Sequence, residues 1–434
     1  MIKLTHGKQR NLANQMDRNF KIVALTAIIL VGFSLSIIYH YYQGNILGKP
    51  YPYTTFLFTP ADRFADFFDA RFVADLNPYL NSIVPSAQYP LVNVFDYLFT
   101  LLPLNISLEI YIILISIAFA FLTNAFLWGK ASRFLRNLHF ILPITFLTYP
   151  FLFTVDRGNL ELLVFVFLLL FLYFFAQEMY TLSTIFLALA IAMKIVPAVL
   201  LFLYLPKKKF REVVLSLVFT VLLTIGSLLL FKGGFGANFN FLLHGSNFSF
   251  ATLVSFVGPE NLVQRGVSFF TIFKIIFIET GWLAKMNMPL FLSRYIKLAA
   301  LFFIPIAAFV VFVEKILWRQ VALLVFSMLL LPQISADYKM LHLYLPMFMF
   351  IITEDRSRLD IFYLVAFGLL MIPKDYAYFP HVLSDAGTND ISISVMINFS
   401  LMVIMSFLIV ASSLKSIFSK HFHHSPYTIA GLLK

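Results

Sequence analysis

The sequence has no cysteine and few charged residues. Among 434 residues there is no Cys, and Asp, Glu, Lys and Arg together make up only 12%. The lack of cysteine excludes disulfides, thiolate metal sites and cysteine nucleophiles. No long polar block separates the apolar stretches, which excludes a membrane anchor joined to a separate soluble enzyme.

Several familiar motifs are missing as well. The chain has no HExxH, no GxSxG, no P-loop and no dinucleotide fingerprint, so the usual zinc-peptidase, hydrolase and nucleotide-binding sites are not indicated. No internal repeat is visible. Because inverted repeats are typical of secondary transporters, their absence weakens a transporter interpretation without excluding it.

Apolar residues dominate what remains. Hydrophobic residues make up 60% of the chain, 53 residues are Phe, and the mean hydropathy is +0.87. Such a composition is typical of a polytopic membrane protein, and the bilayer interior requires helices because lipid cannot satisfy open backbone groups. We therefore expect one all-α membrane domain over residues 1–434. We place about twelve crossings near 20–42, 106–129, 138–154, 159–176, 181–193, 196–206, 212–232, 290–313, 320–334, 339–353, 359–373 and 391–414.

Two of these segments are unusually short. They flank Lys194, at 181–193 and 196–206, and neither reaches the roughly 20 residues that a spanning helix needs. The pattern fits either two half-helices meeting inside the protein or one bent helix.

Lysine and arginine indicate the orientation, because cytoplasmic loops carry an excess of both. With the N-terminus inside, the basic clusters around Lys8, Arg133, Lys208, Lys315, Arg358 and Lys415 all fall in inner loops. This requires that 266–282, which carries Lys274 and Glu279, lies at the outer surface as an amphipathic helix. The long hydrophilic segments then lie outside, at 43–105, 233–289 and 373–390. The net charge of +11 is accordingly a topology signal and not a sign of nucleic-acid binding.

The densest group of acids follows the first apolar segment. The stretch Thr59–Tyr79 carries Asp62, Asp66, Asp69 and Asp75. On a helix, the first three would share one face. A carboxylate beside a low-dielectric surface takes up a proton more readily, as a general base must. The alternative is a solvated helix whose acids pair with Arg63 and Arg71.

Cationic candidates lie in three other outer turns. Arg157 precedes a helix N-terminus and can clamp a phosphate, or it can simply pair with Asp156 or Glu161. Lys194 stands in an apolar stretch, where an anion is its natural partner unless it snorkels at a helix end. Lys339 and His342 share one helical face; a lone histidine is usually structural, so His342 is the weaker of the two.

Polar turns complete the candidate set. Asn77-Pro78-Tyr79 and Gln88-Tyr89-Pro90 bend the first outer loop back towards the membrane, although each is also an ordinary connector. The stretch from His244 to Ser249 carries Asn247 and offers hydrogen bonds to sugar hydroxyls, or is merely a structural loop.

The order of these motifs resembles that of the GT-C superfamily of membrane glycosyltransferases. The loop aspartates, N-P-Y turn, Arg157-Gly158-Asn159 turn, Lys194-Ile-Val-Pro element and G-S-N-F-S loop are similar to those of the GT87, or DUF2029-like, family of polyprenyl-phosphate-sugar mannosyltransferases. The chain departs from that family in two places. Leu91 follows Tyr89-Pro90 where a second proline is usual, and Ser335–Lys339 replaces an S-W-x-H element.

The resemblance implies an inverting hexosyltransferase, with mannose as the candidate sugar. Its donor would be a sugar on a polyprenyl phosphate, and its acceptor a lipid-linked or cell-surface glycan on the extracytoplasmic face of a bacterial inner membrane. No cofactor is implied, although the loop acids offer ligands for a divalent ion. The implied base is Asp66, with Asp62 second; the implied phosphate ligands are Arg157, Lys194, Lys339 and His342. The implied substrate contacts are Asp69, Asn77, Tyr79, Tyr89, Asn159, His244, Asn247 and Ser249.

Two other function classes remain open. A lipid-linked-sugar flippase or other transporter predicts charged residues along a path through the bilayer. An O-antigen-type polymerase or ligase predicts paired arginines in a large outer loop, and here only Arg265 and Arg294 are available.

Overall fold

The structure is a computed structural model, and nearly all of its regular structure is helical. It describes residues 6–75, 77–79, 88–129, 134–244, 250, 253–254, 257–258, 265–282, 287–354, 357–379 and 391–423. The helices are α1 (His6–Tyr41), α2 (Ala65–Asp75), α3 (Pro90–Thr100), α4 (Leu104–Trp128), α5 (Phe134–Phe146), α6 (Tyr149–Arg157), α7 (Glu161–Ala176), α8 (Tyr180–Met193), α9 (Phe210–Leu229), α10 (Gly234–His244), α11 (Phe269–Glu279), α12 (Met288–Phe312), α13 (Leu317–Leu330), α14 (Tyr344–Ile352), α15 (Asp360–Met371) and α16 (Ile393–His423).

Shorter elements connect these helices. A π-helical turn (Tyr42–Ile46) extends α1, and 3₁₀ helices occupy Pro60–Asp62, Val196–Tyr204 and Asp337–Leu343. Strands β1 (Tyr378–Phe379) and β2 (Ile391–Ser392) form one short antiparallel pair.

Within the described residues, five helices are long and apolar enough to cross a membrane: α1, α4, α9, α12 and α16. The bent pair of α5 and α6 makes a sixth if it is counted as one span. The all-α, multi-pass membrane character is therefore confirmed, whereas the expected twelve crossings are not. The remaining apolar helices are too short: the 16 residues of α7 extend about 24 Å, against a hydrocarbon thickness of about 30 Å.

The short apolar helices form the core instead. Every residue of α13 from Trp318 to Leu330 is buried, as is α14 from Tyr344 to Ile351. The long helices surround them, and only 17% of the most apolar stretch of α9 and of α12 is buried. A helix that is apolar all round is stable only when its whole surface is covered by protein or lipid. The helices at the centre of the bundle are therefore covered by protein, and those at its periphery expose apolar surface of the kind that faces lipid.

Prolines explain two breaks within the expected spans. The segment expected as one span at 138–154 divides at Thr148, and α5 and α6 meet at 64°. Pro150 stands in the first turn of α6, where its missing N–H costs nothing. Likewise, α8 ends at Met193, Lys194 is extended (φ −151°, ψ 131°), and Pro197 opens the following 3₁₀ helix. The chain around Lys194 is thus two short helical pieces joined by an extended residue.

Two helices define the two ends of the bundle. α1 and α15 run in the same direction, with Lys21 near Asp360 at one end and Tyr39 bonded to the Tyr376 carbonyl at the other. Glycines let them approach closely: a Cβ on Gly368 would lie 2.7 Å from Ile28 Cγ2, as at the small-residue contacts of membrane helices. We call these ends the Lys21 end and the Tyr39 end.

Alanine substitutions at Gly158 and Gly129 should distinguish the cost of backbone strain from the cost of lost packing in the turn after α6. Gly158 has φ +64°, and a Cβ there would lie 2.8 Å from Phe67 Cβ on α2; Gly129 has φ +69° with nothing within 4 Å. Gly129→Ala should cost about 1–2 kcal/mol of stability for the left-handed backbone. Gly158→Ala should cost about 1–3 kcal/mol more, because α2 must move. Thermal unfolding of both purified variants measures the difference, and equal losses would contradict the contact between the turn and α2.

Candidate functional site

The segment between α1 and α2 is held against the turn between α6 and α7. The backbone N–H of Phe64 donates to the Asp156 carbonyl (2.7 Å), and that of Phe58 donates to Asp156 Oδ2 (3.3 Å). Arg63 Nε lies 3.6 Å from Asp156 Oδ1. Phe64 itself has φ 59°, which is strained for a bulky residue. This fixed kink starts α2 and sets the position of Asp66.

Asp66 is gripped by two side chains from that turn. Arg157 Nη2 donates to Asp66 Oδ1, and Asn159 Nδ2 donates to Asp66 Oδ2 at 2.7 Å. The guanidinium also donates to the Asp62 carbonyl (3.3 Å) and lies 4.7 Å from the centre of the Phe58 ring. The Asp66 side chain is still 26% exposed, so its carboxylate is held in place and remains accessible.

The contacts of Arg157 and Arg71 in the structure differ from the ion pairs expected from the sequence. Arg157 pairs with Asp66, not with Asp156 or Glu161. Arg71, offered as a partner for the loop acids, donates instead to the carbonyls of Phe99 (3.2 Å) and Leu102 (2.7 Å). The Arg157–Asp66 contact joins residues 91 apart in the sequence, and the two Arg71 contacts join residues 28 and 31 apart, so local spacing does not reveal them.

Asn159 connects Asp66 to the next cation. Its side-chain oxygen accepts from the Glu161 backbone N–H (2.9 Å) and from Lys194 Nζ (3.5 Å). Its backbone carbonyl accepts from the hydroxyl of Tyr111 (2.8 Å). Because every polar group of this side chain is used, Asn159 sets the relative positions of Asp66 and Lys194.

A buried carboxylate lies at the centre of the second half of the site. Glu161 Oε2 accepts from Lys194 Nζ, and Glu161 Oε1 lies 2.6 Å from His342 Nε2. The Glu161 and His342 side chains are 3% and 2% exposed, whereas that of Lys194 is 19% exposed. His342 therefore acts on the site through Glu161, while Lys194 alone of the three offers donors towards the outside.

Aromatic side chains and a second lysine surround Lys194. Its Nζ lies 5.4 Å from the centre of the Tyr338 ring, and Tyr89 lies beside it and Ile195. Lys339 is near enough to interact electrostatically with Glu161, but its own Nζ donates to the Ile334 carbonyl (2.6 Å). The structure thus brings Asp66, Arg157, Asn159 and Lys194 into one network, with Tyr89, His342 and Lys339 around it.

The other acids of the first loop do not join this network. Asp62 ends a separate 3₁₀ turn and contributes only its carbonyl, so the three acids do not share one helix. Asp69 is exposed on α2, without a hydrogen bond or ion pair in the part of the chain that the structure describes. Within the same described residues, no group of three or more acidic or histidine side chains is arranged to hold a metal ion.

Five further candidates lie elsewhere or beyond the described residues. Asn77 donates to the Lys232 carbonyl (3.5 Å), and buried Tyr79 accepts from Asn93 (3.1 Å), so this turn is anchored beyond α9. The side chain of His244, the last residue of α10, lies outside the described part. Asn247 and Ser249 lie outside the described residues altogether.

Sequence reasoning missed one buried acid. Asp96 on α3 is 2% exposed, and its Oδ2 atom has no hydrogen-bond partner among the described residues. It lies near enough to Lys194 and Tyr111 to interact electrostatically with both. The sequence does carry a signal for Asp96: it is a single carboxylate within the apolar run of α3, and a carboxylate in such a position is costly unless it has a role. The candidates chosen from the sequence lie in turns, so they do not include it.

A second buried ion pair supports the outer loops at the Tyr39 end. Arg265 Nη1 lies 2.9 Å from Asp375 Oδ2, and Nη2 donates to the Leu57 carbonyl at 3.0 Å. Arg265 also donates to the hydroxyl of Tyr149 (3.1 Å), which donates in turn to Asp337 Oδ2 (2.5 Å). Arg265 was one of the two arginines offered for a polymerase or ligase, and it is only 6% exposed. It joins the loops around the site and does not present its charge to the outside.

Removing the Glu161 charge should destabilise the protein. Glu161→Gln keeps the size of the side chain but leaves Lys194 without its buried counter-charge, and we expect a loss of about 3–5 kcal/mol. Glu109→Gln, on the exposed face of α4, is the matched control and should change stability little. Adding Lys194→Met to Glu161→Gln should restore part of the loss, because the unpaired cation is gone. Unchanged thermal unfolding of Glu161→Gln would contradict the bridging role.

Comparison of the chain with protein-family models, with curated proteins and with solved structures finds no match. The function is therefore inferred from the geometry of this site and from the order of motifs in the sequence.

Proposed function

We propose that the protein is an integral membrane glycosyltransferase that transfers a hexose from a polyprenyl-phosphate donor to a lipid-linked or cell-surface glycan. The observation that carries the proposal is the Asp66 carboxylate. It is accessible, held by Arg157 and Asn159, and linked through Asn159 to Lys194. A positioned carboxylate next to two cations suits a reaction that removes a proton and releases a phosphate.

Asp66 has the capacity to act as the base. A carboxylate has about four acceptor positions, and the described side chains use one on each oxygen. In the proposed step, Asp66 takes the proton of the acceptor hydroxyl, whose oxygen attacks the anomeric carbon. The bond from that carbon to the phosphate oxygen breaks, and the polyprenyl phosphate leaves with the electron pair. Attack from the side opposite the phosphate inverts the anomeric centre.

The two cations have donors to spare for that phosphate. Of the five N–H donors of a guanidinium, Arg157 uses one on Asp66 and one on the Asp62 carbonyl. Asp66 and Glu161 balance the charges of Arg157 and Lys194. The leaving phosphate gains negative charge as the bond breaks, and prearranged cations stabilise that charge more than they stabilise the bound donor.

The flank of the site is suited to a lipid tail. Phe64 and Phe68 on either side of Asp66 are half-buried, and Phe72, one turn further along α2, is 57% exposed. Exposed aromatic rings next to a polar site are what an amphipathic, membrane-bound donor would contact. This arrangement supports entry of the donor from the lipid side.

We expect Asp66→Asn to lower sugar transfer by about 10²-fold or more, because the amide cannot accept the proton. Asp75→Asn, at the exposed end of the same helix, is the control and should leave transfer unchanged. The measurement is mass spectrometry of lipid-linked glycans in a deletion strain complemented with each variant, with protein levels matched. Full complementation by Asp66→Asn would remove the proposed base.

Arg157 distinguishes phosphate binding from simple support of Asp66. Arg157→Ala should lower turnover by about 10²-fold, and Arg157→Lys should recover only part of it, since lysine has no bidentate fork. Turnover and the melting temperature are to be measured on the same purified sample. If Arg157 has only a structural role, Arg157→Ala will lower the melting temperature while the specific activity of the surviving protein stays normal.

A further inference from the structure

Three candidate spans end together at the Lys21 end of the bundle. The stretch Met16–Ile46 begins at this end, and the stretches Met288–Phe312 and Ile393–Ser416 finish there. Arg319, in the first turn of α13, lies among them, because Nη1 donates to Ser413 Oγ of α16 (3.4 Å). The helix ends place Arg319 at the level of one membrane surface, on the side opposite the candidate site.

The Arg319 guanidinium is buried with most of its donors unused. It is 9% exposed, and the bond to Ser413 is its only hydrogen bond within the described chain. Its Nε atom is buried with no partner, and no carboxylate oxygen of the described residues lies within 4 Å. A buried cation is stable only when it is paired and hydrogen-bonded.

The nearest acid on the same loop is already occupied. Glu314 Oε1 accepts the backbone N–H groups of Lys315 and Ile316, both at 2.8 Å, and Oε2 accepts from Ser413 Oγ. Glu314 therefore holds the turn before α13 against α16, and it does not form an ion pair with Arg319 in the described chain.

A second unused donor lies on the same side of the bundle. The Tyr363 hydroxyl is buried next to Ser412 but makes no hydrogen bond of good geometry in the described structure, and Ser412 donates to the Ile409 carbonyl (2.9 Å). The rings of Tyr363 and Trp318 are 5.0 Å apart, and Arg319 Cζ lies 5.6 Å from the Trp318 ring centre. Trp318 thus brings together a guanidinium with unused donors and a hydroxyl without a well-formed hydrogen bond.

We propose that Arg319 and Tyr363 bind the phosphate group of an anionic membrane lipid. Asp360 interacts with Arg319 electrostatically but forms no ion pair with it. A phosphate supplies several acceptor oxygens and a negative charge in direct contact, to which a guanidinium is well suited. Exposed Lys315, Arg358 and Lys415 add positive charge at this end, and basic sites between membrane helices are typical binding places for anionic head groups. Phe312, which ends α12 and is 76% exposed, offers an apolar surface for an acyl chain.

The test compares two lipids on the purified full-length protein. In detergent micelles, phosphatidylglycerol should raise the melting temperature and remain bound in native mass spectrometry, whereas phosphatidylcholine at the same concentration should do neither. Arg319→Gln should weaken phosphatidylglycerol binding at least about tenfold, since it removes charge-assisted hydrogen bonds. Lys49→Gln removes an exposed charge at the Tyr39 end of the bundle and should keep the wild-type affinity.

Tyr363→Phe keeps the proposal testable if Arg319→Gln does not fold. It removes only the hydroxyl, and we expect an affinity loss of about three- to tenfold. The proposal is overturned if the two lipids bind equally to the wild-type protein, or if Arg319→Gln or Tyr363→Phe binds phosphatidylglycerol as the wild type does. If inorganic phosphate raises the melting temperature as much as phosphatidylglycerol does, the assignment to a lipid is overturned.

Discussion

The buried carboxylate of Glu161 holds three parts of the chain together. Glu161 is the first residue of α7, and its carboxylate contacts Lys194 after α8 and His342 in the 3₁₀ helix before α14. A charge at 3% exposure is strongly unfavourable unless opposite charge and hydrogen bonds surround it. These three segments must therefore meet for the bundle to be stable, and their meeting places the accessible Lys194 next to Asn159 and Asp66. Stability and the geometry of the candidate site depend on the same contact.

Interrupted helices make this arrangement possible. A continuous helix satisfies its own backbone and leaves no room for a polar cluster, whereas a helix end presents free groups and lets a side chain turn inwards. α6 ends at Arg157, α7 begins at Glu161 and α8 ends just before Lys194. The short helices that disagree with twelve simple crossings are thus the elements that bring polar side chains to the site. Their apolar surfaces are covered by neighbouring helices, with five longer candidate spans outside.

Charge is handled differently at the two ends of the bundle. At the Tyr39 end, Arg265 has Asp375, and near the candidate site Arg157 has Asp66. At the Lys21 end, Lys21 lies 3.2 Å from Asp17, whereas Arg319 has no such partner in the described chain. In the proposed function, the candidate site would bind a lipid phosphate from the bilayer. The proposed site at the Lys21 end would likewise bind a membrane lipid.

The sequence alone determined the helical class, the membrane character and most helix positions, because apolar length and proline placement act locally. It also marked Asp66, Arg157, Asn159 and Lys194 as residues of interest. Only the tertiary structure decided their partners: Arg157 binds Asp66 about 90 residues away, Glu161 joins Lys194 to His342, and Asp96 lies near Lys194. Composition and spacing carry no information about which buried charges meet, since that choice depends on how the helices pack. For the same reason the twelve crossings expected from the sequence are not confirmed, because a buried core helix and a lipid-facing helix are equally apolar.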